Sequence, residues 1–439
     1  MKKNTGQALW ERAKNIIPGG NQLLSKRAEM FLPGGWPAYY SRAKGCEVWD
    51  LDGQKYIDMS IMGVGSCILG YADPDVNKAV KKAVDNGSMS TLNAPEEVEL
   101  AELLCRIHPW AEMVRYARTG GEAMAIAERI ARASTGKDII AFCGYHGWHD
   151  WYLATNLAKK DGLKEHLLAG LQPAGVPKGL RGTVIPFHYN KIEELEAIVQ
   201  KEGKNLAAIV MEPIHNVEPE NNFLQKVRAI ATKTGAVLIF DEITMGWKLS
   251  YGGAHLKYGV NPDIAVFSKA MSNGYPMAAI IGRRSVMDAA QGSFISSTYW
   301  TERLGPAAAL ATLKKMKRVN AVRQIEMAGK AVRAGWKKLA EKHGLKIIIG
   351  GAIPISNFAF QYDKDSQALK TLFIQEMLDR HFLASTQFFP SCAHTDVYIN
   401  KYLRAVDESF ATIAKAIETN TIRKRLRGPE AHSGFARLN

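Results

Sequence analysis

The sequence predicts an α/β protein: a large domain with a mostly parallel, seven-stranded sheet, joined to a small α+β domain. Three observations predict it. Short apolar runs alternate with helical patterns through the middle of the chain. Most of those runs are rich in β-branched residues and apolar on both faces, as buried parallel strands are. After about residue 313 the pattern changes to long helical stretches with few strands between them.

Taken in order, residues 1–65 form a segment that joins the small domain, 66–312 the large domain and 313–439 the rest of the small one. The start, MKKNTGQALWERAKNII, has no apolar core behind its lysines and reads as an amphipathic helix rather than a signal peptide. In EVWDLDGQKYIDM, Asp52-Gly53 between two alternating runs marks a hairpin. The expected strands of the large domain are Met113–Arg118, Asp138–Cys143, Thr183–Phe187, Leu206–Glu212, Ala236–Glu242, Ile264–Lys269 and Met277–Gly282. Glu122–Ser134 and Lys191–Lys201 are expected helices between them. One long helical stretch, Leu313–His343, then precedes strands Lys346–Gly350 and Ser356–Tyr362 and helices Ser366–Arg380 and Tyr402–Glu418.

Composition narrows the class. Of 439 residues, 46% are hydrophobic and 23% charged, which is ordinary for a globular chain. No run of about 18 apolar residues occurs, so no membrane span is expected. Cys46, Cys67, Cys105, Cys143 and Cys392 are scattered, which favours reduced thiols in a cytoplasmic protein. The net charge of +14 is spread along the chain, with one dense cluster at Arg423, Lys424, Arg425 and Arg427. No aromatic residues interleave with it, so it reads as a solvated helix end, and nucleic acid is not the expected partner.

Four local patterns carry chemistry. Ala236–Glu242 ends an apolar run in two carboxylates, where open α/β sheets bind ligands; the plainer reading is a helix cap at Asp241. Pro262–Lys269 ends another in Ser-Lys, placing an amine where desolvation makes it a nucleophile; the plainer reading is a lysine reaching out to water. Arg118-Thr-Gly-Gly-Glu-Ala123 leads a strand into a helix through two glycines, as a phosphate cradle does, and as any tight strand–helix turn does. Gly144-Tyr-His-Gly-Trp-His-Asp150 offers His146, His149 and Asp150 as metal ligands, or an aromatic ring to stack on a planar ligand. Together, a lysine, a carboxylate, an aromatic and an anion cradle at the strand ends of one sheet suit a phosphorylated, planar, aldehyde-bearing cofactor.

With those residues in hand, the sequence resembles the class III aminotransferases among fold type I pyridoxal-phosphate (PLP) enzymes, and most closely the branch containing glutamate-1-semialdehyde 2,1-aminomutase. The segments ARTGGEA, GYHGWHD, VMEPI, LIFDEI and PDIAVFSKAMSNGYPMAA carry the resemblance, in the family's order. It implies pyridoxal 5'-phosphate held by Lys269 as a Schiff base, with Asp241 at the pyridine nitrogen. It implies that Ile243 and Tyr145 cover the two ring faces and that Gly120 and Gly121 bind the phosphate. Glu212 is then a carboxylate that supports the site from behind the residues touching the cofactor, Asn216 reaches the ring hydroxyl, and Thr298 reaches the phosphate of a neighbouring subunit in a homodimer with shared active sites. The implied reaction is ping-pong transfer from an amino-acid donor to an aldehyde or ketone acceptor, sugar-like or anionic, for which Ser25, Lys26 and Arg27 are candidate ligands. Aminomutation, racemisation or decarboxylation, and a non-catalytic binding role are the alternatives. Two departures stand out. The family's phosphate turn usually has a hydroxyl where Gly121 stands, and Ser385–Ser391 lacks the acid that the aminomutase carries ahead of its Ala-His pair.

Overall fold

The structure, a computed structural model, describes residues 4–159, 162–166, 170–214 and 216–434. The chain forms two compact units, Met1–Asp73 with Arg323–Asn439, and Pro74–Val322. The first unit opens with α1 (Thr5–Ile16). Asn4 and Gln7 close a reciprocal capping box there, satisfying two backbone donors that the helix cannot. The buried face of α1 presents Trp10 and Ala13. Strands β1 (Tyr40–Lys44), β2 (Glu47–Asp50) and β3 (Lys55–Met59) follow as an antiparallel meander. The expected hairpin turn is present: the Asp50 carboxylate accepts from the N–H groups of Asp52 and Gln54, and Gly53 takes a positive φ of 83°.

In the second unit, α2 (Pro74–Asp85) and α3 (Pro95–Ile107) precede β4 (Met113–Ala117), α4 (Gly120–Thr135), β5 (Ile139–Cys143) and β6 (Val184–Pro186). Then come α5 (Ile192–Glu202), β7 (Leu206–Met211), α6 (Phe223–Thr234), β8 (Val237–Asp241), β9 (Ile264–Phe267) and β10 (Ala278–Gly282). All seven expected strands lie in one sheet, in the order β4-β10-β9-β8-β7-β5-β6. The strand β10 runs antiparallel to both of its neighbours, and the other pairings are parallel. Both faces are buried, which explains the continuous apolar runs. Along β8, Val237 and Ile239 pack into the cluster that holds Met124 and Ala127 of α4, while Leu238 and Phe240 pack with Leu224 and Val227 of α6. That period of two puts Asp241 on the α4 side at the carboxyl end of β8, and Glu242 opposite it.

The expected single helix over Leu313–His343 is two: α7 (Leu304–Val319) and α8 (Ala321–Lys342). Asn320 separates them with a φ of 49°, and its N–H caps the carbonyls of Met316 and Lys317. Asn adopts that left-handed conformation more readily than other residues with a side chain.

The rest of the first unit is β11 (Ile347–Gly350), β12 (Ser356–Phe360), α9 (Ser366–Asp379), β13 (Phe382–Ala384), β14 (Gln387–Phe388) and α10 (Asp396–Glu418). Strand β13 joins β3 in parallel. Its core gathers Trp336, Phe358, Phe373, Tyr402 and Phe410, with the buried Trp336 N–H donating to the Tyr402 hydroxyl at 2.9 Å. In the basic cluster Arg423 pairs with Asp365 and Glu430, and Arg427 with Asp379, all at the surface. Exposed pairs of this kind add little stability. No described helix is long and apolar enough to cross a membrane.

Candidate active site

The ends of β5, β8 and β9 and the start of α4 converge on one region of the second unit. Asp241 is buried, with 4% of its surface exposed. Its Oδ1 accepts the Ile243 N–H at 3.0 Å, and its Oδ2 lies 2.8 Å from Nδ1 of His146. The other nitrogen of His146, Nε2, lies 3.0 Å from the carbonyl oxygen of Cys143. Both imidazole nitrogens therefore face oxygen acceptors, and a proton sits in the His146–Asp241 contact whichever partner carries it. Burial pushes the Asp241 carboxyl up from its ordinary value, and the hydrogen bond from His146 opposes that.

Lys269 follows β9, the parallel neighbour of β8. Its φ is 46°, a left-handed conformation that costs a residue with a side chain about 1–3 kcal/mol. Nζ donates to Oγ1 of Thr244 at 3.0 Å. Burial lowers the basicity of Lys269, and the charges of Asp241 and Glu212 pull it partly back. A second lysine reaches the same threonine: Lys248, 4% exposed, donates through Nζ to the Thr244 carbonyl at 2.6 Å. Burial, and then the charge of Lys269, drive Lys248 well below the ordinary lysine range.

The turn into α4 is tightly specified. Thr119 caps the helix by accepting from the Glu122 N–H at 3.4 Å, and Glu122 returns its carboxylate to the Thr119 N–H at 2.9 Å. The N–H groups of Gly120 and Gly121 lie in the first turn, where helix geometry leaves them without a carbonyl. A Cβ at Gly120 would meet Cδ1 of Ile243 at 2.9 Å, so the turn packs closely against that side chain.

Tyr145, Glu212 and Asn216 line one cavity of about 410 Å³, together with Gly144, His166 and His188. Gly144 has a φ of 109°, and a Cβ on it would lie 2.8 Å from Oε2 of Glu212. Thr298 is exposed, at the start of a short 3-10 turn. Ser25 and Arg27 belong to the first unit. Of the proposed metal trio, His146 has both nitrogens engaged as described. The sequence reading missed the pairing of His146 with Asp241, the threonine that holds Lys269 and the buried Lys248. The available signal for the first was a histidine just beyond β5, the strand that neighbours β7 in the same parallel sheet.

Comparisons with known proteins identify the family. A family model for class-III aminotransferases matches residues 34–372. The 3-aminobutyryl-CoA aminotransferase of Cloacimonas acidaminovorans (strain Evry) is 31% identical over 95% of this chain and 99% of its own. The glutamate-1-semialdehyde 2,1-aminomutase of Nitrosomonas europaea is 32% identical, again over 95% and 99%. The solved structure of the Sphingopyxis sp. MTA144 FumI protein, in a PLP form, matches with a TM-score of 0.85 at 25% identity, covering 95% of this chain and 98% of that one. The large mostly parallel sheet is that of the fold type I PLP transferases, and enzymes of this class use pyridoxal 5'-phosphate. The residues present fit that group: an amine of lowered basicity, a buried carboxylate, and a glycine turn opening a helix. By sequence, fold and strand-end chemistry alike, the chain belongs to the class-III aminotransferases.

Proposed function

We propose that the protein moves the amino group of an amino-acid donor to an aldehyde or ketone acceptor in a ping-pong sequence. One observation carries the reading: a lysine of depressed basicity and a buried carboxylate stand at the ends of adjoining parallel strands. Pyridoxal phosphate supplies an aldehyde for the amine and a ring that draws off electrons. Lys269 holds the cofactor. Its Nζ, when free, would take the proton from the donor's amine-bearing carbon as general base and later return it. Its lowered basicity brings the free amine within reach at a lower pH than an ordinary lysine would. Asp241, whose Oδ2 lies 2.8 Å from Nδ1 of His146, would face the ring nitrogen. Ile243 and Tyr145 would cover the ring faces, Gly120 and Gly121 would bind the phosphate, Asn216 would reach the ring hydroxyl, and Glu212 would support the site from behind.

Ser25 and Arg27 are the proposed ligands for an anionic substrate group, because a guanidinium fork matches a carboxylate. Thr298 reaches a second copy of the chain in a homodimer with shared sites; its exposed neighbours Phe294 and Tyr299 support a partner surface there. The free thiols Cys46, Cys67, Cys105, Cys143 and Cys392 fit a reducing cytoplasm.

Aminomutation is the second reading, because a relative of that activity is as similar as the aminotransferase. The absence of an acid in Ser385–Ser391 favours transamination. The test is the visible spectrum of the holoenzyme, before and after L-glutamate or another amino donor. Bleaching of the yellow form, with return of colour only when a separate carbonyl acceptor is added, is the expected result. Turnover of a single amino-aldehyde with no second substrate would overturn transamination in favour of the aminomutase.

A further inference from the structure

At Gly121 the start of α4 lacks the hydroxyl that the resemblance to class III aminotransferases implies for a phosphate turn. The space is not empty. A Cβ built on Gly121 would lie 3.0 Å from both Nδ1 and Cε1 of His149, and 3.5 Å from Nε1 of Trp148. The loop that carries these rings is pressed onto the helix start: a Cβ on Gly147 would lie 3.1 Å from the Gly121 Cα. The His149 ring is held in place by stacking on Trp148, with centroids 4.3 Å apart and planes at 29°. Its Nδ1 is shielded from water and has no hydrogen-bond partner among the described residues. A buried polar atom in that condition is rare and calls for an explanation. The nearby Glu122 carboxylate acts on His149 through its charge and makes no hydrogen bond to it; its Oε2 accepts from the backbone N–H groups of Arg118 and Thr119 and from the Thr119 hydroxyl. What gathers at this point are the first-turn N–H groups of α4 and a ring nitrogen, a donor in one of its tautomers, 3.0 Å from where a serine or threonine Cβ would stand.

We propose that His149 is a phosphate ligand of this chain, donating through Nδ1 to the cofactor's phosphate in place of the hydroxyl that Gly121 lacks. The glycine and the histidine are then one device. Gly121 leaves room for the ring, and the ring restores the donor that the glycine removed. This rests on the reading that the Gly120–Gly121 turn holds phosphate.

The experiment compares dissociation constants for pyridoxal phosphate and for unphosphorylated pyridoxal, by absorbance titration of the cofactor-free protein. The proteins are wild type, His149→Ala, His149→Asn and the double variant Gly121→Ser/His149→Ala. Loss of one charge-assisted hydrogen bond predicts about 10- to 100-fold weaker pyridoxal phosphate binding in His149→Ala, with pyridoxal binding changed by no more than about twofold. Asn places an amide nitrogen where Nδ1 stands, so His149→Asn keeps most of the affinity. Adding Gly121→Ser to His149→Ala restores it, since the serine then has both the space and the hydroxyl. Phosphorus NMR of the bound cofactor should show a shifted resonance in His149→Ala that returns in the double variant. Wild-type affinity for pyridoxal phosphate in His149→Ala, or equal losses for both ligands, would overturn the proposal. A wild type that binds pyridoxal as tightly as its phosphate would instead sink the underlying reading of the turn, so the two failures are distinguishable.

Discussion

Replacing His146 by Asn and by Gln separates the two hydrogen bonds that its ring makes. Asn carries an amide nitrogen near the position of Nδ1, which faces Asp241 at 2.8 Å. Gln extends to the position of Nε2, which faces the Cys143 carbonyl at 3.0 Å. The two variants have similar polarity but keep opposite contacts. Asp241 is buried, and burial alone pushes its carboxyl up. Without a donor at Oδ2 it takes up a proton more readily, and the negative charge proposed to face the ring nitrogen is lost. A hydrogen bond to a charged group contributes about 1.5–3 kcal/mol. At about 1.36 kcal/mol per tenfold, that is roughly 10- to 150-fold in the half-reaction that bleaches the yellow form. The assay is stopped-flow absorbance of holoenzyme mixed with the amino donor, at saturating cofactor. His146→Asn is expected to stay within a few-fold of wild type, and His146→Gln to fall by the full range. A Gln variant as fast as wild type, or an Asn variant slower than the Gln one, would refute the idea that His146 acts through Asp241.

Two further outcomes follow from buried groups. Lys248 has a folded pKa well below that of the unfolded chain, so between the two values the unfolded chain binds more protons and stability rises with pH. Lys248→Met removes that penalty and should raise the melting temperature more at pH 7 than at pH 10; an equal shift at both, by calorimetry, would contradict it. His394 accepts the Ser391 N–H through Nδ1 and donates to the Asp58 carbonyl through Nε2, and burial lowers its pKa from 6.5 to about 4. As pH falls from 6.5 to 4 the unfolded chain again binds more protons, so the first unit loses up to about 3 kcal/mol from this group. His394→Asn keeps the Ser391 bond and should flatten that slope in urea unfolding across the window; an unchanged slope would remove His394 as its source.

The sheet was legible in the sequence because its strands are buried on both faces and stand out as apolar runs. Lys269 and Asp241 were legible for a related reason, since each is the polar residue that ends such a run. What surrounds them was not. His146 and Asp241 are 95 positions apart, and only the parallel pairing of β5, β7 and β8 brings the two strand ends together. Lys248 sits in a stretch that reads as an ordinary turn, and its burial depends on packing that no local pattern encodes. The break at Asn320 was invisible because one asparagine in a long helical pattern is a weak stop signal, and its left-handed backbone decides the matter only in three dimensions. The same holds for Gly121, which on paper lacks a phosphate ligand and in the fold makes room for His149.

The central claim is that Lys269, and not its buried neighbour Lys248, is the lysine that bonds to the cofactor. Sodium borohydride reduction of the yellow holoenzyme fixes the cofactor to whichever lysine holds it, and peptide mass spectrometry then locates it. The modification is expected on Lys269. Modification of Lys248 or of any other lysine, with Lys269 left unmodified, would contradict it.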